Sequence, residues 1–382
     1  MRVEEYLNLK PLYYEEIDYS RMPRVYEKIK SLFSTPKTVH IIGTNGKGTT
    51  GRFLAEAIFS MGYSVGHYTS PHILEFNERI WINGLNVADK ELEAAHIKLQ
   101  GILTKDDASS LSYFEYTTFL AMLLFCDCEY VVMEAGLGGE HDATAVFPKI
   151  LTLVTPIAHD HEAFLGSEIA QIAATKLNAI QNSAILATQQ YDEVYEVADR
   201  LCSKKSLNIE KVDTFIDDID REKIDEISKK LSLVSYLKQN LSLSIAALKF
   251  LGLKYDSGNF QKPQLFARLT KIAKNITIDV GHNVLAAKSI VEALLGNKYV
   301  VIYNSYKDKN YKEILEILAP ITLHVEIIAI DDKRVADIKN IKTVLTNLKI
   351  EYRQFKEIKP EYNYLVFGSF SVVERFLREY YE

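Results

Sequence analysis

The chain has 382 residues, of which 47% are hydrophobic and 25% charged, and its formal net charge is −6 at pH 7. With only nine prolines and 17 glycines, it is neither disordered nor collagen-like, and its length suggests two to three domains of about 150 residues each. The negative charge disfavours non-specific nucleic-acid binding, and no apolar run approaches the roughly 18 residues of a membrane span.

Other features of the composition favour a soluble cytoplasmic protein. Three cysteines, Cys126, Cys128 and Cys202, are too few and too irregularly placed for a disulfide framework. The first two lie in an apolar run, which favours buried thiols over metal ligands. The opening residues, 1–5, do not have the pattern of a signal peptide. We expect no membrane partner and no nucleic-acid partner, and a monomer is the default state.

Short apolar runs alternate with amphipathic segments over the first 254 residues. Buried strands are predicted at 39–42, 130–134, 150–155 and 183–187. Helices are predicted at 49–59, at 167–180 with Ser167 as the N-cap, and at 237–251, ending before Gly252. Strands that are apolar on both faces are typical of a parallel sheet with helices on both sides.

Two polar stretches interrupt this alternation. Residues 213–230 are highly charged and are predicted to form a solvated surface excursion. Residues 254–264 are polar, contain Gly258 and Pro263, and lack a hydrophobic period, which is typical of a linker. We therefore predict a first domain over residues 1–254, a linker over 255–264 and a second domain over 265–382.

The second domain shows the same alternation on a smaller scale. Strands are predicted at 277–280, 299–303, 323–330 and 364–368. Helices are predicted at 286–295, 311–318, 334–348 and 372–380. This order predicts a smaller doubly wound α/β domain. The chain as a whole is therefore expected to be α/β, with a mostly parallel sheet in its first domain.

A glycine-rich loop, Gly43-Thr44-Asn45-Gly46-Lys47-Gly48-Thr49, connects the first predicted strand to the first predicted helix. Glycines let backbone amides turn inward, and the helix N-terminus adds its dipole, so such a loop can hold phosphates. Lys47 can reach the β- and γ-phosphates of a nucleotide, and the Thr49 hydroxyl can meet Mg²⁺. The generic P-loop spacing is not met, but an ordinary strand–helix turn would not explain this order of Lys and Thr.

The heptad resembles the ATP loop of the Mur ligase superfamily, and its Gly-Lys-Gly-Thr end is similar to that of the folylpolyglutamate synthase/dihydrofolate synthase family. Further blocks, within roughly residues 39 to 375, agree in order with that family: Ser70-Pro71-His72 with Glu78-Arg79-Ile80, Phe114-Glu115 with Thr118, Glu134 to Gly139 with Asp142-Ala143-Thr144, Asp160-His161 with Lys176, Asp279 to Asn283, and Asp308-Lys309-Asn310. The resemblance implies a P-loop-type ATPase domain, with a mostly parallel sheet, followed by a Rossmann-like domain that binds an amino acid.

Three candidate metal ligands follow predicted strands or precede a turn. Glu134, Ser70 and His161 are expected to converge at the carboxyl ends of parallel strands, where α/β sheets bind ligands. Such a site suits Mg²⁺ completed by phosphate oxygens, although His159-Asp160-His161 alone is also compatible with zinc or with a structural histidine. The resemblance implies a Mg²⁺ site with five ligands: Thr49, Ser70, Glu134, His161 and Lys176.

The resemblance also implies a chemical modification of Lys176. The family carries a carbamylated lysine at this place, a carbon dioxide adduct that turns a cation into a carboxylate-like metal ligand. Thr175 stands where the family pattern has glutamate. The alternative is a plain surface lysine.

In the second domain, Asp279, His282 and Asn283 open the first strand–helix unit. The resemblance implies that they help to place the acceptor amino acid, that Asp279 lies near the nucleotide, and that Arg268 faces the ATP phosphates across a cleft between the domains. The alternative for Asp279 to Asn283 is a polar turn with a helix cap. Ala267 stands where the family has glycine.

The resemblance implies an ATP-dependent ligase that forms an amide bond. The γ-phosphoryl group of ATP would activate a pteroate or folate carboxylate as an acyl phosphate, and the amine of L-glutamate would attack it, with His282 or a carboxylate helping to remove its proton. The substrates are then ATP, L-glutamate, and dihydropteroate or a reduced folate. The implied catalytic residues are Lys47, His161, Lys176, Asp279 and His282. The implied nucleotide-binding residues are Gly43, Thr44, Asn45, Gly46, Lys47, Gly48, Thr49, Arg268 and Asp279.

Two alternatives stay open. Glu140, Ala145 and Ala158-His159 depart from the family pattern, which leaves the precise pterin substrate open. One alternative function is a Mur-type ligase of the same superfamily that acts on another carboxylate. It is disfavoured because the short lead before residue 39 leaves no room for an N-terminal domain of about 100 residues. The other is a non-catalytic ATP-binding switch, which would need only the phosphate loop.

Overall fold

The computed structural model describes residues 1–11, 18–260 and 265–380. The chain forms two compact units. The first comprises Met1–Ile157, Glu168–Ser232 and Gln239–Pro263, and the second comprises Ala158–Ser167, Leu233–Lys238 and Gln264–Glu382. Among the described helices, none has the length and apolar character needed to cross a bilayer.

Up to residue 250 the described helices and strands are, in chain order, α1 Val3–Asn8, α2 Arg21–Ile29, β1 Lys37–Ile42, α3 Lys47–Ser60, β2 Val65–Tyr68, β3 Ile80–Ile82, β4 Leu85–Asn86, α4 Asp89–Ile102, α5 Lys105–Ser110, α6 Tyr113–Leu124, β5 Tyr130–Glu134, β6 Leu151–Val154, α7 Glu162–Leu165, α8 Ile169–Leu177, β7 Ser183–Leu186, α9 Asp192–Lys205, β8 Asn208–Lys211, α10 Val212–Phe215, α11 Asp218–Lys230 and α12 Ser235–Phe250. After residue 265 they are β9 Thr270–Ala273, β10 Ile276–Ile278, α13 Val284–Leu294, β11 Tyr299–Tyr303, α14 Tyr311–Leu318, β12 Thr322–Ile327, α15 Ile338–Asn347, β13 Tyr352–Gln354, β14 Tyr364–Phe367 and α16 Phe370–Tyr380.

The first unit contains an eight-stranded sheet in the order β4-β3-β2-β5-β1-β6-β7-β8. Neighbouring strands are parallel in the part β2-β5-β1-β6-β7-β8 of this order. Strands β3 and β4 add an antiparallel edge next to β2. Ile41 of β1 pairs with Glu134 of β5 and with Leu153 of β6. The carboxyl ends of the three central strands therefore lie side by side, as the predicted parallel sheet requires.

The second unit contains a six-stranded sheet in the order β13-β12-β11-β14-β10-β9, parallel except for the β9–β10 pair. Apolar side chains of β11, β12 and β14 pack against α13, α14 and α15 in one core that includes Val301, Ile314 and Leu365. This arrangement confirms the α/β class with two mostly parallel sheets.

Several predicted boundaries shift. The helix predicted at 167–180 is α8, which starts after Glu168 rather than after Ser167. The helix predicted at 334–348 is α15, which begins only after Asp337, because the carboxylate of that residue accepts a hydrogen bond from the Lys339 amide and caps the helix.

The solvated excursion predicted at 213–230 is wrong, because most of it forms α10 and α11. Asp217 caps α11, and Ile224 and Ile227 on its inner face are buried. The buried carboxylate of Asp220 accepts a 2.6 Å hydrogen bond from the Tyr255 hydroxyl. The charges cover the outer face of an amphipathic helix and obscure its apolar stripe in the sequence.

The predicted linker lies only partly within the described residues. Tyr255 and Phe260 are buried, and a 3-10 turn forms at Ser257–Asn259. Residues 261–264 of the predicted linker are outside the described part of the chain. The domain limits drawn from the sequence stay a prediction.

Candidate functional site

The loop of residues 43–49 turns from β1 into α3. Gly43 has φ 136° and Gly46 has φ 89°, a left-handed conformation immediately before the helix. The amides of Thr44 and Asn45 donate to the carbonyl oxygen of Pro156 at 3.0 and 3.3 Å. A Cβ on Gly46 would collide with the carboxamide of Asn240 on α12. Glycine is therefore required there by both conformation and space.

Lys47 folds back over this loop. Its ammonium donates to the carbonyl oxygens of Gly43 at 3.3 Å and Thr44 at 3.2 Å. The same nitrogen lies 3.9 Å from Oε1 of Glu134 at the end of β5. The lysine predicted to meet phosphates is thus held between loop carbonyls and a carboxylate, at the start of a helix whose dipole attracts anions.

Glu134 is buried, and the segment after β2 fixes its carboxylate. Oε2 accepts hydrogen bonds from the Thr69 hydroxyl and from the Ser70 amide, the latter at 3.2 Å. The structure thus places Ser70 beside Glu134, and Glu134 near Lys47. The predicted convergence of His161 with Glu134 and Ser70 stays a prediction. No role was predicted for Thr69, although the next residue, Ser70, was predicted to bind a metal ion.

Thr49 lies in the first turn of α3 and is 1% exposed. Its hydroxyl has no hydrogen-bond partner among the described residues, and the same is true of the hydroxyl of its neighbour Thr50. An unsatisfied buried hydroxyl costs about 1–3 kcal/mol. A ligand oxygen or a metal ion at Thr49 would remove that cost.

The donors near the loop fit a hard cation. Thr49 and Ser70 carry hydroxyls and Glu134 carries a carboxylate, which is the oxygen chemistry that Mg²⁺ prefers. Within residues 1–11, 18–260 and 265–380, no group of three or more His, Cys, Asp or Glu side chains could hold a metal ion.

Lys176, on α8, is buried and reaches the same loop. Its ammonium donates to the carbonyl oxygen of Gly43 at 3.0 Å. Gly139 packs so closely on the Lys176 backbone that a Cβ would collide with it, and the Glu140 amide donates to Thr175. This burial excludes the surface-lysine alternative.

Asp142 organises the turn that follows Glu134. Its buried carboxylate accepts hydrogen bonds from the amides of Gly136 and Leu137 and from the amide and hydroxyl of Thr144. Burial raises the pKa of Asp142, and these bonds only partly offset that effect. Asp142 was quoted in a sequence block but given no role, and the structure shows that it holds the loop that carries Glu134.

In the second unit, Asp279 follows β10 and is buried. Its carboxylate accepts hydrogen bonds from the amides of Leu269 at 2.8 Å and Gly281 at 2.7 Å and from the Tyr236 hydroxyl at 3.2 Å. Burial raises the pKa of Asp279, and the charge of Arg268 with these hydrogen bonds only partly opposes the shift. Asp279 therefore binds the segment around Arg268 to the end of β10.

Arg268 lies in a strained segment. Its guanidinium carbon is 5.2 Å from the centre of the Phe370 ring, and Nη1 donates to the Ala267 carbonyl. Ala267 and Leu269 on either side have φ of 56° and 48°. A left-handed conformation disfavours residues with a Cβ, which explains why the family pattern has glycine where this chain has Ala267.

His282 and Asn283 lie between β10 and α13, and Asn283 caps the helix. Nδ1 of His282 is 3.1 Å from the Val280 carbonyl oxygen, and Nε2 is 3.4 Å from Oδ2 of Asp160. Asp160 also binds Lys309, at 2.6 Å. Asp160 and Lys309 were quoted in sequence blocks without a role, and only the fold shows that they meet.

Burial alone would raise the pKa of Asp160, but the hydrogen bond to His282 and the charges of His282, His161 and Lys309 hold it well below its ordinary value.

His161 belongs to the second unit and precedes α7 with φ 53°. Its amide donates to Oδ1 of Asp160. The first unit thus gathers residues 43–49, Ser70, Glu134 and Lys176, whereas the second gathers His161, Arg268, Asp279 and His282.

Comparison with known proteins identifies relatives of this chain. No protein-family model matches the chain. The dihydrofolate synthase/folylpolyglutamate synthase of Buchnera aphidicola from Schizaphis graminum is 29% identical, over 91% of this chain and 88% of its own length. That of Bacillus subtilis is 26% identical, over 80% of this chain and 79% of its own length.

Solved structures extend the comparison. The Helicobacter pylori folylpolyglutamate synthetase is 35% identical with a TM-score of 0.81, over 98% of this chain and 97% of that protein. Escherichia coli FolC in complex with DHPP and ADP has a TM-score of 0.82 at 24% identity, over 98% and 95% of the two chains, and shares the fold. Sequence blocks, fold and full-length similarity agree, and the chain belongs to the folylpolyglutamate synthase/dihydrofolate synthase family.

Proposed function

We propose that this chain is an ATP-dependent ligase that joins L-glutamate to the carboxylate of a pteroate or folate. The observation that carries the proposal is the environment of the 43–49 loop, where the ammonium groups of Lys47 and Lys176 both donate to the Gly43 carbonyl oxygen and Lys47 also approaches Glu134. The relatives support it, because they are named for these two activities and solved structures of the family contain ADP, DHPP or L-glutamate.

In the first step, a carboxylate oxygen of the pterin substrate attacks the γ-phosphorus of ATP. The bond from that phosphorus to the β–γ bridging oxygen breaks, ADP leaves with the electron pair, and an acyl phosphate forms. The backbone amides at the N-terminus of α3 bind the phosphates, and the Lys47 ammonium offsets the charge that builds up on them. Arg268 is proposed to add a second positive charge.

A divalent cation bound by Thr49, Ser70 and Glu134, with His161 and Lys176 as further proposed ligands, would supply additional neutralisation of the phosphate charge. Family structures with AMPPNP contain Mn. In this chain the hydroxyl of Thr49 is unsatisfied, and the carboxylate of Glu134 is held in place by Thr69 and Ser70. The Glu134 carboxylate is therefore oriented before a cation or a nucleotide arrives.

In the second step, the neutral α-amine of L-glutamate attacks the acyl carbon. The tetrahedral intermediate collapses with loss of inorganic phosphate, and the nitrogen releases a proton as the amide forms. Both ring nitrogens of His282 face protein oxygens. We assign His282 and Asp279 to placing the amino acid, and His282 or a carboxylate to accepting the proton that its amine releases.

We also propose that Lys176 is carbamylated in the working enzyme. Its nitrogen would then carry a carboxylate in place of the ammonium that now binds Gly43. Lys176→Ala should be inactive and partly restored by small carboxylic acids, and carbon-13-labelled bicarbonate should give a carbamate signal that this variant lacks. A fully active variant, or no labelled signal in the active enzyme, would remove the assignment.

The experiment that tests the activity is ADP release from purified protein supplied with ATP, Mg²⁺ and L-glutamate. Parallel reactions contain dihydropteroate, tetrahydrofolate or no pterin. Turnover that requires both L-glutamate and one of the pterins is the expected result, and the pterin that supports it identifies the reaction. Turnover with neither would overturn the folate assignment. We further propose a cytoplasmic monomer, which light scattering and cell fractionation test.

A further inference from the structure

The carboxylate of Asp160, to which the proposed reaction assigns no task, is the centre of a polar cluster in the second unit. Oδ1 accepts a 2.6 Å bond from the Lys309 ammonium. Oδ2 accepts a 3.3 Å hydrogen bond from the side-chain nitrogen of Asn283 and lies 3.4 Å from Nε2 of His282. These donors come from two different loops, the one after β10 and the one after β11.

The pair of Asp160 and Lys309 is strongly desolvated. Each of the two side chains is only 7% exposed. Buried charges are costly unless they are paired and hydrogen-bonded. Burial alone would lower the pKa of Lys309, but the charge of Asp160 and their hydrogen bond raise it, so the side chain stays an ammonium ion.

A second carboxylate touches the same lysine and provides a natural comparison. Oδ2 of Asp308 lies 3.2 Å from the Lys309 ammonium, but its side chain is 53% exposed. Exposed pairs contribute little to fixed geometry, because solvent screens them and the side chains keep their freedom. Asp160 is therefore the partner that fixes Lys309.

The arrangement leaves binding capacity for an anion. An ammonium ion has three donors, and among the described residues Asp160 and Asp308 accept two of those of Lys309. The oxygens of Asp160 accept hydrogen bonds from Lys309, Asn283 and the His161 amide, so they are directed at protein donors. The carboxyl ends of parallel strands are where α/β sheets bind their ligands.

We propose that Asp160 is a positioning residue for the amino-acid substrate: it holds the Lys309 ammonium and the His282 imidazole in fixed places after β11 and β10, so that a carboxylate of L-glutamate meets a preorganised cation. The inference rests on the proposed ligase function for the identity of the anion. Preorganised donors bind a ligand without first losing their own conformational freedom.

Asp160→Asn and Asp308→Asn test the proposal as a matched pair, because each removes one carboxylate charge from the same lysine. For Asp160→Asn we expect the KM for L-glutamate to rise about tenfold or more, since a hydrogen bond to a charged group is lost. The KM for ATP should change less than about twofold. Asp308→Asn should leave both values within about twofold of the wild type.

A purely structural role gives a different pattern. It would lower kcat and Tm in Asp160→Asn while leaving the KM for L-glutamate unchanged, and that result would overturn the proposal. A similar rise in the KM for L-glutamate in both variants would also overturn it, because Asp160 would then have no special part.

A measurement that needs no turnover separates this inference from the ligase function. The nitrogen-15 signal of the Lys309 ammonium should be protected from solvent exchange in the wild type and in Asp308→Asn, and lost in Asp160→Asn. Its retention in Asp160→Asn would overturn the positioning role, whatever the activity. A wild-type enzyme without glutamate-dependent turnover would instead overturn the ligase function and, with it, the assignment of the anion.

Discussion

The carbonyl oxygen of Gly43 accepts hydrogen bonds from two lysines, at 3.3 Å from Lys47 and at 3.0 Å from Lys176. One lysine belongs to the loop itself and the other to α8, so the contact joins two separate elements at a single backbone oxygen. Lys47 places its ammonium at the N-terminus of α3, beside Glu134, in a chain of net charge −6. Local geometry, rather than overall charge, therefore prepares this loop for phosphates.

Removal of the Lys47 ammonium is the first test of that role. Lys47→Ala should lower kcat for ADP formation at least about 100-fold, because the charge that develops on the transferred phosphoryl group loses a preorganised cation. Circular dichroism and Tm should stay close to the wild type. Lys90→Ala, an exposed lysine of α4, is the control and should keep full activity. Near-wild-type turnover of Lys47→Ala would remove the phosphate-loop assignment.

The unsatisfied hydroxyl of Thr49 gives a second prediction. Thr49→Val keeps the shape of the side chain but removes the hydroxyl, so the Mg²⁺ concentration for half-maximal activity should rise about tenfold or more. Thr50→Val is the matched control, because its hydroxyl is also buried and unsatisfied among the described residues. Magnesium titrations that coincide for the two variants would contradict a metal-binding role for Thr49.

Gly46 and Gly62 have nearly the same φ, 89° and 91°. A Cβ on Gly46 would meet the Asn240 side chain, whereas one on Gly62 would meet nothing within 4 Å. Each alanine variant should lose about 1–2 kcal/mol of stability to the left-handed conformation. Only Gly46→Ala should also weaken nucleotide binding, measured by ADP titration. Equal ADP affinities would show that the Gly46–Asn240 contact is irrelevant.

Stability should depend on pH through Lys149. Burial lowers its pKa to about 8, and Asp142 only partly opposes the shift. Below pH 8 the buried ammonium of Lys149 destabilises the folded protein by about 3 kcal/mol. Above that pH the unfolded chain binds more protons than the folded protein, so this destabilisation disappears as the pH rises toward the lysine pKa of the unfolded chain. Wild-type stability should therefore increase relative to Lys149→Met between about pH 8 and pH 10. Denaturant unfolding of both proteins across this range measures it, and a constant difference would contradict the shift.

Local patterns encode the phosphate loop well. The order of strand, glycines, Lys47 and helix depends on neighbouring residues, and the structure reproduces it at β1 and α3. The antiparallel edge is harder to predict, since β3 and β4 contain three and two residues. Such short strands show no clear alternation and depend on pairing with a neighbouring strand.

Contacts between distant residues cannot be read from spacing. Asp160 and Lys309 are 149 positions apart, and Lys176 reaches Gly43 across 133 positions. The sequence identified Lys176 and Gly43 as site residues through family resemblance, but their hydrogen bond depends on the packing of α8. The pairing of Asp160 with Lys309 likewise depends on how the second unit folds, so the sequence could suggest the residues but not their contact.

Transfer of oxygen-18 from the pterin carboxylate to inorganic phosphate tests the central claim most directly. With a doubly labelled carboxylate, the acyl phosphate route moves one labelled oxygen to phosphate and leaves the other in the amide for each L-glutamate joined. We predict labelled phosphate and ADP in equal amounts, with formation of both slowed at least about 100-fold in Lys47→Ala. Ligation with the label in AMP, or with no labelled phosphate, would contradict the account.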